Sequence, residues 1–208
     1  ALPMHDQLGT PTRRYLAVET AAPIDWAEEA GKGRRRLYPV TAVYSAATTA
    51  AIVHALRSSP SVAAGAWLLG VAFWTWVEYT VHRYVLHGDF PDGPGLRRLW
   101  HRLFDHLHIQ HHARPWDGSH VNGTIKDTGP FLLPAALVAL LLPPHTLLAF
   151  LAGLVQAYVV EEWVHHSVHY YHFRNPYFRY IKRHHLFHHS RKGDGLAFGL
   201  TSGLWDVA

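Results

Sequence analysis

The sequence predicts an all-α integral membrane protein, with four transmembrane helices in two hairpins under a histidine-rich helical cap on the cytosolic face. Three observations predict it. Apolar residues reach 49% while charged residues stay at 16%, the profile of apolar blocks with wet ends. Of the 19 Lys and Arg, only Arg57 falls in the loops expected on the far side, 57–61 and 143–145; basic loops favour the cytoplasmic face. Histidine is in excess, 19 of 208 residues, and it gathers beside the expected near-side membrane boundaries. A soluble bundle with buried apolar hairpins is the alternative for the same pattern.

Residues 1–33, with prolines at 3, 11 and 23, read as an N-terminal cytosolic arm. They lack the charged and apolar regions of a secretory leader. Asp25 with Glu28 resembles a cap for a short helix around 25–30. The membrane domain is expected to span 34–208. Arg34-Arg35-Arg36 precede a first apolar block, 37–56, about 20 residues or ~30 Å of helix. A turn at Arg57–Pro60 leads to a second block, 62–81, whose Trp67, Trp74, Trp76 and Tyr79 suit an interfacial belt. Residues 82–128 read as polar cap, with a helical piece over 95–112. The next apolar runs are only ~20 Å each as helices. Extended by their flanks, they cross at 130–142 and 146–162, and Pro143-Pro144 sets the turn between them. The cap resumes over 165–208.

Four histidine clusters fall in the cap. His82 and His87 stand i,i+5, about 140° apart on an ideal helix. His108, His111 and His112, like His185, His188 and His189, stand i,i+3,i+4, three rings on one helical face. His165 and His169 stand i,i+4. Ten imidazoles exceed what one ion takes, so two ions are expected. An all-nitrogen set excludes Mg²⁺ and Ca²⁺ and leaves iron, zinc, manganese or copper. With no cysteine in the chain, thiolate ligation, disulfides and iron–sulfur clusters are excluded. The basic balance reads as membrane-side loops and not as a nucleic-acid surface.

The runs HRYVLH (82–87), HIQHH (108–112), EEWVHHSVH (161–169) and HLFHH (185–189), followed by FGLTSGLWD (198–206), resemble the integral-membrane fatty acid hydroxylase superfamily. That superfamily includes fatty acid 2-hydroxylases, sterol desaturases and methyl-sterol oxidases. The resemblance runs from Glu78 to Asp206, and the closing segment is most similar to the fatty acid 2-hydroxylase branch. It implies a four-helix membrane base, a cytosolic cap and an O₂-dependent dinuclear metal site. The implied ligands are His82, His87, His108, His111, His112, His165, His169, His185, His188 and His189. The other nine histidines are expected outside the site, with His106 and His184 adjoining its boxes.

Glu78 and Glu162, each one turn before a ligand, are candidates to orient an imidazole by accepting its other N–H. The implied reaction is hydroxylation of a lipid acyl chain, 2-hydroxylation favoured. Iron is expected for activity, with zinc possible in isolated protein, and O₂ and an external electron donor are needed. The arm is too short for a fused cytochrome b5-like domain, so a separate cytochrome b5-like protein, ferredoxin or reductase is expected. Family members usually continue beyond Trp205-Asp206, where this chain stops two residues later. The expected location is a bacterial inner membrane or the endoplasmic reticulum. Arg83, Arg114, Lys182 and Arg183 are candidates for a lipid headgroup. Tyr84, Tyr170 and Tyr171 suit either the substrate approach or interfacial anchoring. Competing readings are a sterol or carotenoid desaturase or oxidase, a membrane zinc hydrolase, and a non-catalytic metal-binding or transport protein.

Overall fold

A computed structural model describes residues 23–57, 59–88, 93–101, 106–141 and 146–207. Most of the expected arm, and the expected Pro143-Pro144 turn, lie outside these. The described residues form helices joined by loops and contain no strand. In order they are α1 (Trp26–Leu56), α2 (Pro60–Thr80), α3 (Leu96–Trp100), α4 (His106–Ala113), α5 (Ile125–Leu141), α6 (Thr146–Tyr170) and α7 (Pro176–His188). α2 runs directly into a π-helical turn, Val81–Leu86.

Asp25 does cap a helix: its carboxylate accepts from the backbone N–H of Ala27 and Glu28, both at 3.0 Å. That helix does not stop at Ala30. It continues through Gly31, Gly33, the three arginines and Pro39 to Leu56. Gly33 belongs inside it for a packing reason. A Cβ there would lie 2.7 Å from Nδ1 of His166 on α6, so α1 and α6 meet closely only because the side chain is absent.

Three helical stretches are long and apolar enough to cross a membrane: Trp26–Leu56, Pro60–Leu86 and Thr146–Tyr170. The expected third crossing is α5. It starts at Ile125, earlier than expected, and its 17 residues include Pro130 and Pro134. At 1.5 Å per residue it is ~26 Å long, just short of a bilayer core. α6 passes its expected end at 162 and continues for two more turns to Tyr170.

α6 is the central post. It meets α2 at crossed glycines: a Cβ on Gly70 would sit 2.0 Å from the Phe150 carbonyl oxygen, and one on Gly153 2.1 Å from that of Trp67. Close small-residue crossings suit helices whose outer faces meet lipid. Polar links join the same helices. Trp67 Nε1 donates to Gln156 at 2.8 Å, Gln156 donates to Thr48 at 3.2 Å, and Trp163 Nε1 donates to Thr41 at 2.8 Å. Leu68, Leu69, Phe73 and Trp76 on α2, and Leu137, Val138, Leu140 and Leu141 on α5, point outward. An outward apolar surface of this extent suits lipid rather than water.

Candidate metal centre

Each of four helical segments delivers its histidines to one place. The π-turn settles the His82–His87 spacing. Its hydrogen bond runs from His87 N–H to His82 C=O at 3.1 Å, so residue i+5 returns above residue i, as it would not on an α-helix. The two rings lie 5.1 Å apart, centroid to centroid. α4 presents His108, His111 and His112. α6 presents His165 and His169, and α7, capped by Asn175 with Pro176 at its first turn, presents His185, His188 and His189.

The ten rings sort into two groups of five that could each hold a metal ion. One is His82, His87, His108, His112 and His188; the other is His111, His165, His169, His185 and His189, and within each group the candidate ligand atoms lie within 4.8 Å of one another. α4 and α7 are each shared between the groups. Each sends its i,i+4 pair to one group and its i+3 ring to the other. The groups adjoin through His112 and His189, stacked at 4.2 Å.

The nitrogen geometry suits cations. In the second group Nε2–Nε2 distances are 3.1 Å for His111–His165, 3.3 Å for His165–His169, 2.8 Å for His169–His185 and 3.0 Å for His185–His189. In the first, His87–His188 is 3.0 Å. Nitrogens bound at about 2.0–2.1 Å stand about 2.9 Å apart at right angles and about 3.3 Å apart at tetrahedral ones. In the first group the ring of His82 donates from Nδ1 to the Phe198 carbonyl at 2.5 Å. Its buried Nε2 has no hydrogen-bond partner among the described residues. His188 is held the same way, donating from Nδ1 to the Leu196 carbonyl at 2.7 Å. Such bonds select the tautomer that frees Nε2. Burial first, then the neighbouring rings, push His108, His111, His112, His185 and His189 well below the ordinary imidazole range; burial pushes His188 down to about 4. Neutral imidazole is the form that ligates a metal.

The carbonyls of Leu196 and Phe198 belong to a loop that spacing rules on histidine do not reveal. Ala197 between them has a left-handed φ of 59°, which turns both carbonyls toward the first group. Glu78 pins the loop: its carboxylate accepts from the N–H of Leu200 at 3.1 Å and Thr201 at 2.8 Å, and from the Thr201 hydroxyl at 2.7 Å. Asp206 pins the other side, accepting from the N–H of Phe198 at 2.7 Å and Gly199 at 3.0 Å and from His184 at 3.0 Å. Burial opposes the charge on Asp206, but these donors hold its carboxyl below the ordinary range.

The hydrogen bonds described for Glu78 and Glu162 do not run to an imidazole. Glu162 accepts from Tyr158 and Asn122, both at 2.8 Å, and from Gly123 N–H at 3.3 Å. It ties α6 to the loop before α5. Among the other histidines, His184 serves Asp206, His120 pairs with Asp117 at 3.0 Å, and His166 is buried against α1. His5 and His145, and the side chain of His106, lie outside the described residues.

Beside both groups lies a cavity of about 540 Å³ between α2, α5 and α6, a size typical of ligand pockets. Its walls are mainly apolar, including Val77, Val81, Phe131, Leu132 and Leu154. His82 and His108 of one group and His111 and His165 of the other line it too. The four basic headgroup candidates and the three tyrosines named from the sequence do not line it. Tyr158 and Glu161 do.

Residues 67–208 match the family described as Fatty acid hydroxylase. The chain belongs to that family. It is 34% identical over 139 residues to an Arabidopsis thaliana protein named dihydroceramide fatty acyl 2-hydroxylase, covering 66% of this chain and 56% of that one. It is 31% identical over 161 residues to the Mus musculus fatty acid 2-hydroxylase, covering 74% and 41%. A solved structure titled full length scs7p, with only its hydroxylase domain visible, superposes with a TM-score of 0.68 at 28% identity, covering 82% of this chain and 64% of that one. The chain spans about half the length of these curated relatives.

Proposed function

We propose that the chain is a membrane-embedded lipid hydroxylase that holds one metal ion in each histidine group and oxidises an acyl chain, at C2 by preference. One observation carries the reading: a single apolar cavity is walled by histidines from both groups. An acyl methylene lying at that wall faces both sites at once. The relatives named as fatty acid and fatty acyl 2-hydroxylases support the reaction and its position.

A bound pair of redox-active metal ions, iron expected, would supply O₂ activation with two externally delivered electrons. Zinc would fit the same nitrogens without that redox chemistry. The protein's own part is positional. The two groups hold neutral imidazoles with Nε2 directed inward, and the loop at 196–201 aims His82 and His188. The apolar cavity excludes water from the reacting carbon and fixes the chain's approach.

In this reading residues 34–208 form the hydroxylase unit, α5 is a shortened fourth crossing, and the cap faces the cytosol beside a separate electron donor. The chain contains no cysteine, so single cysteines at Ser59 and Ser190 report topology cleanly. Opposite accessibility to an impermeant thiol reagent is expected, and equal accessibility overturns the arrangement. The reaction is tested by lipid mass spectrometry of an expressing host, with and without O₂. Acyl chains gaining one oxygen, placed at C2 by fragmentation, support the reading. Loss of two hydrogens instead identifies a desaturase, and product independent of O₂ ends the oxidative reading.

A further inference from the structure

The face of α7 turned away from the histidine groups carries a separate set of charges. Ile181, His185 and His188 form the buried stripe of this helix. Arg179, Lys182, Arg183 and Leu186, at i, i+3, i+4 and i+7, form the opposite one. That stripe lines a second cavity, of about 220 Å³, closed by His172 and Phe173 from the connection between α6 and α7. Phe173 stacks on Phe178 with ring centroids 5.0 Å apart, which gives the cavity a fixed apolar wall. The space is smaller than the ~300–1,000 Å³ of drug-sized pockets and suits a compact ion.

The charge here is one-sided. Between Glu162 and Asp194 the chain has six Lys or Arg and no acidic residue. Among the described residues no carboxylate pairs with Arg179, Lys182 or Arg183. Lys182 Nζ donates to the Tyr171 carbonyl at 2.9 Å, which holds the ammonium at the cavity and leaves it two donors. Burial lowers its pKa below the ordinary lysine value, and no acid offsets that cost. Like charges one turn apart on a helix repel, so the stripe destabilises α7 on its own. An anion seated among the three cations removes that repulsion. Arginine forks match phosphate oxygens in pairs, and a phosphomonoester brings about two negative charges and three acceptor oxygens near neutral pH.

We propose that this second cavity is a binding site for a phosphoryl anion, a phosphomonoester above all, gripped by Arg179 and Arg183 with Lys182 between them. The site shares no residue with the acyl cavity or with either histidine group, so it stands whatever reaction the chain catalyses. Two sources offer this chemistry. One is a soluble phosphate or phosphate ester. The other is the headgroup of a phosphatidate-type lipid, whose chains would meet the exposed Leu186.

The test is isothermal titration of the purified, metal-loaded chain in neutral detergent at about 0.15 M chloride, which screens diffuse attraction. The probes are inorganic phosphate, dioctanoyl phosphatidic acid and dioctanoyl phosphatidylcholine. Phosphate, phosphatidic acid or both should bind saturably, and phosphatidylcholine should not. Binding of phosphatidic acid alone assigns the site to a lipid headgroup, binding of phosphate alone to a soluble ester, and binding of both to the phosphoryl group itself. Arg179→Gln and Arg183→Gln should each weaken binding several-fold, and together at least about tenfold. Arg191→Gln, the same charge change at an exposed position outside the cavity, should leave binding intact. The bound probe should also raise the melting temperature of the parent by mass action, and the melt of the double variant without probe checks that it is folded. No saturable binding of phosphate or phosphatidic acid, equal binding of phosphatidylcholine, unchanged affinity in the double variant, or an equal loss in Arg191→Gln overturns the proposal. The double variant keeps its metal ligands, so an anion held by a metal ion instead of the cavity would persist there and count against the site.

Discussion

The two histidine groups contain five rings each but are braced differently. In the first, His82 and His188 are aimed by backbone carbonyls of a loop that Glu78 and Asp206 hold in place. In the second, Nδ1 of His111, His185 and His189 makes no hydrogen bond among the described residues. Those rings are positioned by the helices that carry them and by one another. The first site thus depends on a loop that side chains pin down; the second depends on the scaffold. Substitutions away from the ligands should tell the two apart.

The largest effect should come from the ligands themselves. His188→Ala and His111→Ala each open one group, so metal content measured by elemental mass spectrometry should fall from two ions per chain toward one. Hydroxylated lipid should fall below detection in both variants. If either variant keeps two ions and full product, the division into two sites is broken.

Acid should not discriminate between the groups, which makes it the useful control. Imidazoles in both are pushed below their ordinary value by burial. A His with a lowered folded pKa binds fewer protons folded than unfolded, so its stability is present above about pH 6.5 and is lost as pH falls toward the folded value. For His188 that window runs from about 6.5 to about 4, a loss of roughly 3 kcal/mol. Metal-free protein should therefore melt progressively lower across that range. Loaded protein should resist to lower pH, because bound metal competes with the proton.

Glu78→Ala removes the acceptor of three loop hydrogen bonds. Metal affinity should drop ~10–100-fold, the usual cost of an outer partner, at one of two sites only. A chelator titration should turn from one phase into two. A single weakened phase would mean that the loop braces both groups.

Ala197 gives the smallest effect. A left-handed φ costs an alanine roughly 1–2 kcal/mol, and a β-branched side chain costs more there. Ala197→Val should lower the melting temperature and speed loss of one metal, whereas Ala197→Gly should stay close to the parent in both.

Eight of the ten grouped histidines carry a one-turn spacing signal in the sequence, since such repeats of imidazole stand out in any register. Their division between two sites does not, because it depends on how α4 and α7 rotate against α2 and α6. The His82–His87 pair was misaligned on an ideal α-helix, and only a π-turn brings the rings together. Three apolar helices long enough to cross a membrane were legible from length and composition. The early starts of α1 and α5 were not, because Gly31, Gly33, Pro130 and Pro134 read as breaks when taken alone. Packing against His166 explains why Gly33 sits inside a helix. Glu78 and Glu162 stood out by their offset from ligands, yet the loop residues they hold, Leu200 and Asn122, are 122 and 40 residues away and leave no local trace. Glu161, beside Glu162, carried no signal at all until the cavity was visible.

The pinning of the 196–201 loop has a consequence for biosynthesis. The two carbonyls that aim His82 and His188, and the Asp206 that holds them, leave the ribosome after every helix described. The first group therefore closes only when the long apolar helices are already made. A metal ion held there would enter a chain whose helices are already complete, so loading would be a maturation step that can lag behind synthesis.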